Sequence, residues 1–170
     1  MITDVESLVE SMRTYLKTNL NTKIVSINAA KLVEDSTTFS IDKIGGLVDG
    51  VVTANDETYL TEVNMEDLPN RTFLIIGLNG PFDVETNGND YYIDVSVDIE
   101  IVFQRQHNEK VKAGYVAFRY MKALLETMIN YEASADEVEG LTITSGIPME
   151  VNAKSRRLIT GGITVSVRLA

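Results

Sequence analysis

The chain has 170 residues, a formal net charge of −10 and no cysteine, and 44% of its residues are hydrophobic. This length predicts one domain with an ample core, while the lack of cysteine excludes disulfides, thiolate nucleophiles and Cys-ligated zinc. The negative charge disfavours binding to nucleic acid phosphates and to anionic membranes, and no apolar run approaches the roughly 20 residues that span a bilayer.

An amphipathic helix is predicted over residues 3–20. Thr3 and Glu6 fit a capping box. Its apolar positions follow helical spacing: Val5, Leu8, Val9, Met12, Tyr15, Leu16 and Leu20. Asparagines up to Asn21 predict its end, and residues 23–27, KIVSI, are typical of a short strand. Acidic residues occupy the N-terminal positions at which a signal peptide would carry basic residues, so we expect a soluble protein without a leader.

Residues 30–56 lack a regular pattern. Asp49 and Gly50 lie between two apolar pairs and predict a hairpin turn. Because structureless segments of this size are unusual in compact domains, we expect a loop or hairpin arm that orders against a partner. The alternative is a simple surface excursion.

The most regular strand pattern lies at residues 91–105, YYIDVSVDIEIVFQR. Apolar side chains occupy alternate positions: Ile93, Val95, Val97, Ile99, Ile101 and Phe103. This period of two predicts a strand with one buried face, roughly 45 Å long at about 3.3 Å per residue. Such a length exceeds what a small core needs, so one end is expected to project or its edge to pair with another chain. Residues 59–65 and 71–78 predict an edge strand and a doubly covered strand before it.

A second helix is predicted over residues 108–131, and a long hairpin closes the chain. The expected buried stripe of the helix is Val111, Tyr115, Phe118, Met121, Leu124, Leu125, Met128 and Ile129. Small residues near Ala117 permit close packing, and Gly161 with Gly162 predicts a bulge or a close backbone approach. The order of elements indicates an α+β fold: a mainly antiparallel sheet with two helices on one face. We expect one domain over residues 1–170, with 30–56 as a protruding arm.

Three acids share one face of the long strand: Asp94, Asp98 and Glu100. Asp98 and Glu100 would lie about 6.6 Å apart along it, near the carboxylate spacing of inverting glycosidases. A catalytic pair also needs a cleft and one carboxyl with a raised pKa, whereas these acids simply fill the polar positions of an alternating strand. We therefore expect an acidic face, solvated or lining a lumen, rather than a catalytic or metal site. The single histidine, His107, stands in a polar turn and cannot build a His-rich metal site.

A basic cluster stands out in this acidic chain at the tip of the closing hairpin. Lys154, Arg156 and Arg157 fit either a solvated turn or a contact with an acidic patch on a neighbouring copy. The second interpretation makes these residues a candidate subunit interface. No catalytic residue and no cofactor are expected.

Three segments carry a resemblance to a known family: the helix followed by a short strand from Thr3 to Ile27, the strand YYIDVSVDIEIVFQR running into the helix KAGYVAFRYMKALLETMI, and the final hairpin ending ITVSVRLA. Together they resemble the tail terminator proteins of long-tailed bacteriophages and related contractile machines. The resemblance implies a virion protein, assembled in the host cytoplasm. It also implies a hexameric ring that caps the tail tube, contacts the tube protein and a neck or head-completion protein, and lets DNA pass without specific binding. Asp94, Asp98 and Glu100 would then line an acidic lumen that repels phosphates.

Other functions fit the same sequence. The chain also resembles other neck and tail-completion proteins and injection-system collars. A ligand-binding or regulatory α+β domain in the cytoplasm would instead need a concave apolar pocket. An enzyme would need a cleft that concentrates the strand carboxylates.

Overall fold

The computed structural model describes residues 5–34, 39–64, 66–88, 90–104, 113–131, 138–146, 149–153 and 156–169. Within these ranges, two helices and nine strands follow in chain order. They are α1 (Val5–Glu34), β1 (Gly46–Val48), β2 (Val51–Thr53), β3 (Tyr59–Leu60), β4 (Phe73–Leu78), β5 (Asp83–Asn87), β6 (Asp90–Gln104), α2 (Ala113–Met128), β7 (Val138–Ser145), β8 (Met149–Ala153) and β9 (Arg156–Leu169). The predicted α+β class, with its mainly antiparallel sheet, is confirmed.

Two long strands form the centre of the sheet. β6 and β9 pair antiparallel from Ile93 with Leu169 to Gln104 with Leu158. On the outer side of β6 lie β4 and β5, and on the outer side of β9 lie β7 and β8. β3 adds two residues in parallel to β4, so the edge strand predicted over 59–65 is much shorter than expected. Separately, β1 and β2 form a two-stranded hairpin.

Alternation along β6 follows the prediction for the long strand. Val95, Val97, Ile99 and Ile101 are buried, whereas the polar residues between them are partly exposed. The apolar face packs with both helices into one core. The other face is polar near Asp98 but becomes apolar further on, where Phe73, Val102 and Leu158 form a second small cluster. Phe73 and Leu74 are buried on opposite faces of β4, as expected for a doubly covered strand.

The strand predicted over residues 23–27 is wrong, because α1 continues without a break to Glu34. Ile24 and Ile27 extend the stripe of buried helix residues rather than a sheet. That stripe comprises Leu8, Met12, Leu16, Leu20, Ile24 and Ile27. Asn21 does not end the helix, because its side chain is engaged with another segment: the amide donates to the carbonyl of Ile44 and accepts from its N–H, both at 2.8 Å.

Residues 39–44 form an extended strap between the two helices. Asn28, two helical turns after Asn21, makes the same pair of bonds with Ile41, both at 2.9 Å. The hydroxyl of Tyr120 on α2 accepts from the N–H of Asp42 at 3.0 Å and donates to its carbonyl at 3.1 Å. These side chains replace the partners that a sheet would give the strap backbone, and its apolar residues Ile41 and Ile44 enter the core.

The segment predicted as an arm is therefore divided. Residues 30–34 belong to α1, 39–44 form the strap, and 46–53 form the β1–β2 hairpin. Exposed apolar side chains lie at Leu32 on the helix and at Leu47, Val48 and Val51 on the hairpin. The predicted turn is confirmed, with φ of 50° at Asp49 and 79° at Gly50.

Close packing of α2 against the sheet changes which helix face is buried. A Cβ at Gly161 of β9 would lie 2.9 Å from the carbonyl oxygen of Ala117, so the predicted close approach is present. The buried face includes Ala117, Tyr120, Ala123, Leu124 and Met128. Tyr115, Phe118 and Ile129, predicted as buried, are each more than half exposed. The prediction favoured large side chains, whereas this contact requires small ones. Val111 lies outside the described residues.

We predict that Asn28→Ala lowers the free energy of unfolding by about 1–3 kcal/mol, because it leaves both backbone groups of buried Ile41 without partners. Urea denaturation measures the change. Asn19→Ala is the matched control, since the Asn19 amide bonds only to the carbonyl of Tyr15 in its own helix. Equal losses in the two variants would contradict the role of the strap.

Candidate acidic face and assembly surfaces

The three predicted acids lie together on one sheet face. Asp94, Asp98 and Glu100 occupy alternate positions of β6 on the side turned away from the helices, and all are partly exposed. Their cross-strand neighbours on β9 are Arg168, Thr164 and Gly162, respectively. Each acid therefore has a different environment, although the sequence presents them as equivalent.

Asp94 is neutralised by an arginine. Arg168 donates to both carboxylate oxygens of Asp94, from Nε at 2.8 Å and from Nη2 at 2.6 Å. The same Nη2 donates to Glu85 of β5 at 3.1 Å. The hydrogen bond from Arg168, together with its charge, holds the pKa of Asp94 below its ordinary value. Two of the acids at this end of the sheet thus share one guanidinium.

Asp98 and Glu100 differ in how they are solvated. One carboxylate oxygen of Asp98 accepts from the Thr164 hydroxyl at 2.6 Å and from the Asn79 amide at 3.1 Å. Glu100 packs over Gly162, where a Cβ would lie 2.9 Å from its Cγ. Burial raises the pKa of Glu100, and the nearby charge of Asp98 raises it further. A raised pKa suits a general acid, but this one has a packing cause on an open strand face rather than a cleft.

The described part of the chain contains neither a cluster of metal ligands nor a helix that could span a membrane. No group of three or more His, Cys, Asp or Glu side chains there is placed to hold a metal ion. Neither helix is long and apolar enough to cross a membrane. His107 lies outside the described residues.

The basic cluster lies at one end of the long strands. Arg156 begins β9 opposite Ala153, and Arg157 pairs with Asn152 and has an exposed side chain. Both precede Leu158, which pairs with Gln104, the last residue of β6. The predicted hairpin tip is therefore at the sheet end, although Lys154 itself lies outside the described residues.

Sequence reasoning missed a second hairpin at the opposite end. β5 pairs with the first residues of β6, from Asp83 with Asp94 to Asn87 with Asp90. Every residue of β5 is exposed. This hairpin carries apolar side chains in contact with solvent: Phe82, Val84 and Tyr91. The two turn signals around FDVE were visible in the sequence, but the segment was too short and too polar to predict a strand.

An open groove of about 670 Å³ separates the β1–β2 hairpin from residues 67–71. Leu47, Leu60 and Leu68 line it beside polar side chains such as Asn55 and Glu57. At its base, the guanidinium of Arg71 donates to the carbonyl of Gly45 at 3.0 Å. The groove is a concave surface with mixed polarity.

Comparison with known proteins adds no relative: no protein-family model matches the chain, and neither does any curated protein.

We predict opposite effects on stability for two neighbouring carboxylates. The pKa of Glu100 is higher in the folded chain than its ordinary value of 4.5. The folded chain therefore loses stability as pH rises from 4.5 through the folded-state pKa, because Glu100 ionises there while partly buried. Glu100→Gln should raise the free energy of unfolding at pH 7, by less than about 1 kcal/mol because water reaches part of the side chain. Below the ordinary pKa the difference should vanish.

Asp94→Asn is the matched comparison, with the reverse sign. The pKa of Asp94 is lower in the folded chain than its ordinary value, so the ionised carboxylate stabilises the folded chain at any pH above that ordinary pKa. This stabilisation is lost as pH falls through the folded-state pKa. The variant should therefore be less stable than wild type at pH 7. Thermal denaturation between pH 3 and 7 checks both variants, and the same sign for both at pH 7 would contradict this account.

Proposed function

We propose that the chain is a structural virion protein, a tail terminator that forms a ring, caps the tail tube and joins it to the head or neck. The observation that supports this most is the pair of long strands, β6 and β9, which carry a further strand at each end: β5 beside residues 90–94 and β8 beside residues 156–160. Exposed apolar side chains lie at the first end, and the exposed Arg157 lies at the second. Such ends contribute little to the core of one chain and suit contacts between copies.

The acidic sheet face supports the same proposal in modified form. DNA moving through a ring passes most easily along a wall that repels phosphates. Because Arg168 neutralises Asp94 and Glu100 is half-buried, Asp98 is the strongest candidate of the three for a lumen charge. Asp98 instead accepts hydrogen bonds from two neutral groups, the Thr164 hydroxyl and the Asn79 amide.

One of the three segments that carry the resemblance differs from its predicted structure, because α1 is not followed by a short strand. The remaining support comes from the long strand with its following helix and from the closing strands. Other neck or tail-completion proteins and injection-system collars share these features, and they stay open within the same structural class.

A second candidate function is ligand binding by an α+β domain. The groove beside the β1–β2 hairpin favours it, since its volume of about 670 Å³ would hold a small molecule. Its openness and mixed lining are less favourable than an enclosed apolar pocket would be.

Two measurements test the proposal. Native mass spectrometry over a range of concentrations gives the number of copies, and sedimentation with purified tail tubes tests recruitment to the tube end. We expect a closed ring that stays bound to tubes, and the resemblance to tail terminators implies about six copies in it. A chain that neither forms a ring nor binds tubes would contradict the proposal and turn attention to the groove.

The lumen is tested by Asp98→Lys in assembled particles. We expect slower DNA ejection, because a cation in the channel attracts phosphates, and an unchanged native mass. Replacing all three acids with lysine would also break the Asp94–Arg168 pair and bury a charge at position 100, so the single change is cleaner. Glu62→Lys, an equal charge change at an exposed residue outside this face, is the control. Normal ejection with Asp98→Lys would exclude this face from the lumen.

A further inference from the structure

β5 is an edge strand whose outer side is open. It pairs with the first residues of β6, and no other described strand lies beside it. β3 pairs only with Leu74 and Ile75 of β4 and leaves this part of the sheet edge uncovered. All residues of β5 are exposed. Because the backbone groups of a strand point to both of its sides, about half of the N–H and C=O groups of β5 face away from β6 and are available to a further strand.

One face of β5 is apolar. Val84 lies opposite Ile93, on the sheet face that the helices cover at Val95. Tyr91 lies on the same face, opposite Thr86. Val84 and Tyr91 are 56% and 60% exposed, and no residue on this face of the β5–β6 hairpin is charged. The core-facing side of the sheet therefore continues past the helices as an exposed apolar surface.

The opposite face of β5 is acidic. Asp83 lies opposite Asp94, and Glu85 is on the same face two residues further along. Arg168 donates to Glu85 at 3.1 Å and to Asp94 at 2.6 Å. Asp83 is exposed and forms no ion pair with the residues that the structure describes. Because residues 72–104 contain no lysine or arginine, a negative charge remains on this face.

A strand that paired with β5 would extend both faces at once, because opposite residues of paired strands lie on the same face. Every second side chain of the added strand would lie beside Val84, and the side chains between them would lie beside Asp83 and Glu85. Apolar residues are favoured at the first set of positions. Lysine or arginine is favoured at the second set, since opposite charges across two strands stabilise their pairing.

A second copy of β5 does not meet these requirements. In the antiparallel register that pairs the whole strand, Glu85 of one copy would lie opposite Glu85 of the other. Like charges directly opposite each other destabilise strand pairing. Charged residues on edge strands commonly prevent such self-pairing, and here they restrict the edge to a basic partner.

We propose that the open edge of β5 binds an extended segment of another protein in which basic and apolar residues alternate, so that one strand is added to the sheet. Its backbone bonds to β5, its apolar side chains pack beside Val84, and its cations lie beside Asp83 and Glu85. The contact requires no ring, so it goes beyond the proposed function and holds for any oligomeric state of the chain.

A synthetic peptide, acetyl-Lys-Val-Lys-Val-Lys-Val-Lys-amide, is the probe. In an NMR titration of the isotope-labelled full chain, it should shift the backbone amides of residues 82–91, with a dissociation constant of about 1 mM or lower. Hydrogen exchange should then slow at the β5 amides that point away from β6, because these amides become bonded to the peptide. A purely ionic contact would not protect them.

Two matched peptides separate strand addition from general attraction to an acidic protein. Acetyl-Lys-Lys-Lys-Lys-Val-Val-Val-amide has the same composition and charge but does not alternate. The alternating peptide with a methyl group on every backbone nitrogen cannot donate hydrogen bonds to β5. Each should bind about tenfold more weakly than the alternating peptide, or not at all.

Reversing the charge of the edge should reverse its preference. Asp83→Lys with Glu85→Lys should bind the lysine peptide about tenfold more weakly, and it should gain binding to the same peptide with glutamate in place of lysine. Gained binding also shows that this variant is folded.

The control variant, Glu57→Lys with Asp67→Lys, makes an equal charge change at exposed residues of the groove. This groove includes Arg71, which precedes β4, whereas β5 follows the other end of β4. Its affinity for the lysine peptide should stay within about twofold of wild type, because salt screens charges at that separation.

Four results would overturn the proposal. They are the absence of saturable binding below about 1 mM, equal binding of the alternating and block peptides, hydrogen-exchange protection away from β5, and protection of β5 that rises with the concentration of the chain alone. The last result would identify a second copy as the occupant. Tube binding is measured without the peptide, so the terminator proposal and this contact can fail separately.

Discussion

The pairing of β6 with β9 is the interaction on which the rest of the structure depends. It runs without interruption from Ile93 with Leu169 to Gln104 with Leu158. One face of this pair supports both helices, and the outer edges accept β4 and β5 on one side and β7 and β8 on the other. β5 pairs with one end of β6, and β8 pairs with the opposite end of β9. The same pairing that builds the core therefore places these two strands at opposite ends of the sheet.

Backbone hydrogen bonding explains the second unusual feature, the strap between the helices. An extended segment that places Ile41 and Ile44 in the core must satisfy its polar groups without a neighbouring strand. Asn21, Asn28 and Tyr120 supply donors and acceptors from the helices. Asparagine is a poor helix former, and its presence in α1 reflects these contacts rather than a helix end. The β1–β2 hairpin is thereby held close to the body of the protein.

Charge along the sheet is less uniform than composition implies. Arg168 joins Asp94 to Glu85, Asp98 accepts hydrogen bonds from neutral groups, and Glu100 is partly desolvated. A row of acids in the sequence is thus a set of different electrostatic environments in the fold.

Sequence periodicity by itself determined the long strand, the α+β class, the amphipathic helix up to Leu20 and the Asp49–Gly50 turn, because each depends on local spacing or local backbone conformation. The predicted cap at Thr3 lies outside the described residues. Tertiary structure decided the rest. The continuation of α1 through residues 23–27 follows from partners more than ten residues away in the chain, and the buried face of α2 follows from the contact of Ala117 with Gly161. The pairing of Asp94 with Arg168 and the placement of β5 and β8 at opposite ends of the sheet arise from strand register. Register joins residues that are distant in sequence, and no local pattern specifies it.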